Sequence, residues 1–147
     1  MADAVEVQWI YPPDMQDGQW DDKSGNRRVV ARLTGTSDGT GETAVVKIDL
    51  DDLKTLAGNV PQRTAVEYVN WSVFGMTCLL EWDRTPSAKI IEINDNALTD
   101  SGEISWERWG GLLDPGLDDA TGDIILTTTN VFDGDTYDIT ICLRLKD

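Results

Sequence analysis

The 147-residue chain falls in the one-domain range, and its 40% hydrophobic and 27% charged residues exclude the disordered class. Twenty-seven acids against twelve bases give a formal net charge of −15 and a pI near 4.1, a field that repels phosphate backbones and attracts cations or basic surfaces. No apolar run approaches the ~18 residues of a membrane span, so the expectation is a soluble protein with no nucleic-acid and no membrane partner.

Residues 1–7 lack the basic start and apolar middle of an export signal, which predicts synthesis in a cytoplasm. Residues 5–11 alternate weakly and stop at Pro12 and Pro13, and residues 14–26 are polar, contain glycine and carry Trp20. Residues 1–26 therefore read as an N-terminal arm and loop, and residues 27–147 as a single β-sandwich domain. Over 27–34, Val29, Ala31 and Leu33 share one face and Arg28, Val30, Arg32 and Thr34 the other, the period of a strand. A glycine-rich break at 35–41 leads to a second strand over 43–49, so the two read as a hairpin with a long connection. Leu50, Leu53 and Leu56 follow at spacing three, with Asp51 and Asp52 at the start and Gly58 past the end. They predict one short helix of about two turns.

Residues 64–74 read as a long strand, bent at Gly75 before a further strand over 76–82, the two forming the centre of the core. Residues 89–93 and 104–109 are shorter strands, and Gly110, Gly111 and Asp114-Pro-Gly116 mark turns. The runs 124–129 and 136–145 flank a turn signal and finish almost at the last residue. Eight or nine strands, with a turn signal about every ten residues, indicate an all-β fold: an antiparallel β-sandwich, jelly-roll-like by strand count, with one short helix. A parallel α/β sheet is excluded because no long helix lies between strands to cross over.

The sequence contains no histidine, which removes the commonest general base near neutral pH and the commonest transition-metal ligand. Cys78 and Cys142 sit in apolar runs without the spacing of a zinc or redox motif, and read as buried structural thiols. Paired carboxylates survive as a catalytic option, with Glu67, Glu81, Glu92, Glu103 and Glu107 as strand-borne candidates. Solvent-facing glutamates on alternating strands are the plainer reading, so no catalytic residue is assigned and no enzyme is expected. Asp133 and Asp135 with Asp138, and Asn94, Asp95 and Asn96 with Asp100, offer oxygens to a hard cation. Neither cluster follows a calcium-loop pattern, and Asp-Gly is also what a hairpin turn demands, so no metal and no cofactor is expected.

The six tryptophans divide into two kinds. Trp71 and Trp82 lie in strongly apolar strands and belong to the core. Trp9, Trp20, Trp106 and Trp109 sit near the terminus, glycine turns or polar neighbours, where an amphipathic ring often anchors a protein interface. With Val7, Ile10 and Tyr11 of the arm, they form the candidate interface.

Residues 39–49, 69–82, 122–129 and 134–141, a glycine-rich hairpin and three strand-and-turn stretches, resemble small virion structural proteins of tailed bacteriophages, especially marine phages. The resemblance spans roughly residues 27–146 as a pattern of strands and turns, without an active-site signature. It implies a capsid decoration, or cement, protein that binds the major capsid protein and copies of itself, with a trimer suggested by the symmetry of capsid lattices. The implied location is the virion surface. A head-to-tail or tail component, and a carbohydrate-binding β-sandwich module using Trp106 and Trp109, are the alternatives. The arm, residues 2–13, is the expected contact element, laying a strand on a neighbour's sheet edge.

Overall fold

The computed structural model describes residues 4–11, 28–55, 58–94, 98–116 and 121–146. Alternation sets the elements: along β10, Asp133–Lys146, Tyr137, Ile139, Ile141, Leu143 and Leu145 are buried and the residues between them face outward. A register slip of one would carry all five side chains to the solvent face, at about 1.5–3 kcal/mol for each large one, which pins the strand.

The other strands are β1 (Ala4–Tyr11), β2 (Arg28–Asp38), β3 (Val45–Ile48), β4 (Arg63–Phe74), β5 (Thr77–Trp82), β6 (Ala88–Ile93), β7 (Thr99–Ser105), β8 (Leu112–Leu113) and β9 (Ile124–Thr129). They form an all-β, antiparallel sandwich. The larger sheet runs β1-β2-β10-β4-β7, with β8 also paired to β4, and the smaller runs β3-β9-β5-β6. One core cluster draws on both: Leu33, Val69, Ile139 and Ile141 from the larger sheet meet Leu80, Trp82, Ile93 and Leu126 from the smaller. Trp82 Nε1 donates to Thr64 Oγ1 at 3.0 Å, a satisfied polar bond between β5 and β4 and therefore between sheets. Trp71 packs against the same core, and its indole N–H finds no partner among the described residues.

Connectivity differs from the hairpin expectations. β2 and β3 do not pair; β2 lies between β1 and β10, while β3 pairs with β9 in the other sheet. β9 and β10 likewise belong to different sheets, so the turn signal at Asp133-Gly134 starts a strand after a crossing instead of closing a hairpin. Strands 4 and 5 are divided in the same way across Gly75. Only β1–β2 and β5–β6 join consecutive strands side by side.

Three local expectations also change. The first eight described residues are not free of the sandwich: β1 pairs antiparallel with β2 from Ala4 opposite Thr36 to Tyr11 opposite Val30. The predicted helix is a single 3-10 turn, Leu50–Asp52, capped by the Asp49 side chain accepting from Asp51 N; Leu56 lies outside the described residues. The spacing of three suited a 3-10 turn, whose side chains repeat every third residue. The strand expected over 104–109 ends at Ser105, and a 3-10 turn, Glu107–Trp109, follows, closed by Gly110 at φ +80°.

Candidate interaction surfaces

The structure separates the sequence-predicted interface residues into two groups. Val7 and Trp9 pack from β1 against the core, whereas Ile10 and Tyr11 on the same strand are 44% and 50% exposed. Trp106 packs against the core from the turn after β7, its N–H donating to Glu67 O at 2.8 Å, and Trp109 stands 73% exposed one turn later. β1 and β7 are opposite edges of the larger sheet, so the two groups do not form one surface. Trp20 lies outside the described residues.

Trp106 and Trp109 do not share an orientation in solvent. Trp109 N donates to Trp106 O at 3.0 Å, which turns one ring toward the core and leaves the other outside, with the Arg108 guanidinium 6.0 Å from the Trp109 ring centroid. Arg108 thus lies near cation–π range of an exposed ring.

A third surface escaped the sequence reading. The β2–β3, β4–β5, β6–β7 and β9–β10 connections all cross between the sheets at one end of the sandwich. Backbone bonds tie them together there: Gly75 N donates to Leu98 O at 2.7 Å, and Thr128 N to Glu42 O at 2.9 Å, while Asp38 faces Asp133 in the strand register. From this end project Phe74, Leu98 and Phe132, at 46%, 70% and 72% exposure. They include both phenylalanines of the chain. Phe74 is opposite Thr99 on one side and Thr136 on the other, so it stands between the strands that carry Leu98 and Phe132 into the fold. Phe132 N donates to Asp135 Oδ2 at 2.8 Å, and the Asp135 carboxylate fills the space over Gly75.

Charge is distributed unevenly along the sandwich. In the segments that build this end, residues 36–44, 72–77, 98–101 and 128–137, the described residues include Asp38, Glu42, Asp100, Asp133 and Asp135 but no Lys or Arg. Several bases gather at the opposite end: Arg28 opens β2, Arg63 opens β4, and Arg144 and Lys146 close β10, whereas Lys47 is buried against Glu42. Acids pair with Arg28 and with the nearby Arg84, and a backbone carbonyl receives Arg63. Arg84 Nη2 lies 2.8 Å from Asp114 Oδ2, with Asp114 fully buried, and Arg63 Nε donates to Asp114 O at 2.9 Å. Arg28 Nε lies 2.6 Å from Glu67 Oε1, and the hydrogen bond to that carboxylate raises the Arg28 pKa above its ordinary value.

One ion pair is interior. Lys47 of β3 pairs with Glu42, both buried, and Tyr137 Oη donates to the other Glu42 oxygen at 2.7 Å. Gly35 makes room for the Tyr137 ring, which any side chain at position 35 would overlap. Both thiols are free: burial pushes Cys78 up to about 12 and also raises Cys142.

The acidic clusters and glutamates named from sequence are dispersed. Asp138 pairs with Arg32 at 2.6 Å, while Asp135 turns to the Phe132 backbone. Asp100 Oδ2 accepts from Asn94 N at 3.0 Å; Asp95 and Asn96 lie outside the described residues. Among the described residues no three acid or thiol groups converge to hold a metal ion. Glu67 binds Arg28, Glu103 accepts from Tyr68, and Glu92 pairs with Lys89, so these three carboxylates each engage a different partner. A shallow depression of about 370 Å³ lies across β1, β2 and β10, lined by Ala4, Glu6, Thr34, Thr36, Thr136 and Asp138 among others. No described helix is long and apolar enough to cross a membrane. Compared with protein-family models, curated proteins and solved structures, the chain matches none.

Proposed function

We propose that the chain is a structural protein of a tailed-phage virion, a capsid decoration protein that binds the major capsid protein lattice and stabilises the head. The observation that carries this reading is the set of large apolar side chains held in solvent on hydrogen-bonded turns, Leu98 and Phe132 foremost. A backbone already fixed in place loses little further freedom on docking, which favours contacts dominated by a few residues.

Strand order supports the same reading. With β1 and β8 set aside, the sheets are β2-β10-β4-β7 and β3-β9-β5-β6, and only β5 and β6 are both consecutive and adjacent. We read that interleaving as the winding of a jelly roll, an architecture recurrent among viral capsid proteins and implied by the resemblance to decoration proteins. A rigid sandwich repeated over a symmetric lattice needs only modest affinity at each site, because many equivalent contacts act together. β1, at the sheet edge with Ile10 and Tyr11 exposed, is the element through which copies of the chain touch one another.

Cosedimentation with capsids that lack the chain tests the reading, its own mass being measured by light scattering. Saturable binding at a copy number proportional to capsid subunits is expected. Binding at only a handful of copies would relocate the protein to the head-to-tail or tail assembly, and no binding would reject a virion role on the head.

A further inference from the structure

We infer that the crossing end of the sandwich, bearing Phe74, Leu98 and Phe132, is the docking face, and that its partner is a protein surface with an apolar centre and a basic rim. The inference deepens the proposed function and rests on it, since the capsid lattice supplies that surface. Three features argue for it.

The first is apolar content. A chain with two phenylalanines has placed both in solvent at one end, beside an exposed leucine, although its core is built mostly of Leu, Ile and Val. Scattered apolar exposure is ordinary, whereas a cluster of large side chains from three different connections marks an interaction site.

The second is preorganisation. Phe74 sits at the end of β4, Leu98 is fixed by its carbonyl accepting from Gly75 N, and Phe132 by its N–H donating to Asp135. Gly75, at φ +86°, leaves room for the Asp135 carboxylate, so the β4–β5 and β9–β10 connections lock against each other. Little ordering cost remains when the face is covered.

The third is charge, and it selects the occupant. The described residues of this end carry Asp38, Asp100 and Asp133 around the apolar side chains and no exposed base, the Lys47 ammonium being buried against Glu42. A second copy meeting the same end would bring acid against acid on chains of net charge −15, which disfavours an isologous pair. A basic rim on another protein complements those acids. The opposite end, where Trp109 stands beside Arg108, has mixed charge and no such selectivity.

The test is binding to capsids assembled without the chain, measured for the wild type, for L98D/F132D, and for W109D as a control, each shown by thermal unfolding to be folded. All three substituted positions are largely exposed, so the variants keep the core. The expected result is at least about tenfold weaker binding for L98D/F132D, with W109D close to wild type, and wild-type binding that weakens as salt rises. Wild-type binding that L98D/F132D retains in full would overturn the docking face and leave the decoration role standing. Loss in W109D alone would move the face to the other end and overturn the inference. No binding by the wild type would overturn both.

Discussion

The carboxylate of Asp135 occupies the space above Gly75, where the backbone lies at φ +86° and any Cβ would overlap it. Two connections distant in sequence are thereby made mutually dependent, and both carry side chains of the exposed apolar end. G75A imposes a left-handed conformation on a residue with a Cβ and displaces Asp135 as well. The expected cost is about 2–4 kcal/mol, seen as a fall of roughly 4–16 °C in Tm for a chain of this size.

Asp114 is fully buried and receives Arg84 through both carboxylate oxygens, so D114A removes a buried carboxylate from a partly buried guanidinium that also donates to Gln62 O. Urea unfolding is expected to show a loss of about 3–5 kcal/mol. The Arg32–Asp138 pair lies on the exposed face of the larger sheet, and D138N is expected to leave the unfolding midpoint unchanged.

Alkaline pH should destabilise the fold through its thiols. Cys78 ionises near 9.0 when solvated but near 12 in the fold, where burial withholds solvation from the thiolate. Between those values the unfolded chain has lost a proton that the folded chain keeps, so unfolding releases protons and rising pH favours it. Cys142, also raised by burial, acts in the same direction. Stability is thus intact below about pH 9 and declines above it, by at most about 1.4 kcal/mol per pH unit for each thiol. C78A is expected to give a lower starting stability and a shallower decline in unfolding experiments run from pH 8 to 11.

Tryptophan substitutions should divide the two kinds of ring. W82A removes a side chain 1% exposed that bridges the sheets through Thr64, with an expected loss of about 3–5 kcal/mol. W109A removes a ring 73% exposed and should shift stability by no more than about 0.5 kcal/mol. Chemical denaturation of both variants checks the contrast.

Strand content was legible because period-two burial is written directly in residues such as Val29, Ala31 and Leu33, or Ile139, Ile141 and Leu143. Strand partners were not. Alternation states that one face is covered without stating which strand lies beside it, and the connection between β2 and β3 is long enough either to fold back or to cross to the other sheet. The candidate surface was less legible still. Phe74 ends a strongly β-type run and reads as core; it takes the outward position after the inward-facing Val73, in line with Ser72, on the face of β4 that the smaller sheet does not cover. Trp106 and Trp109, three residues apart, look equivalent in sequence, and only the 3-10 turn that separates them sends one ring inward and the other out.

In the proposed role this sandwich stabilises a phage head by covering its lattice. The most direct measurement is the temperature at which capsids disrupt, followed with and without saturating amounts of the purified chain. A higher disruption temperature is expected for the decorated capsids, increasing with occupancy until the lattice sites are full. An unchanged disruption temperature at full occupancy would contradict it.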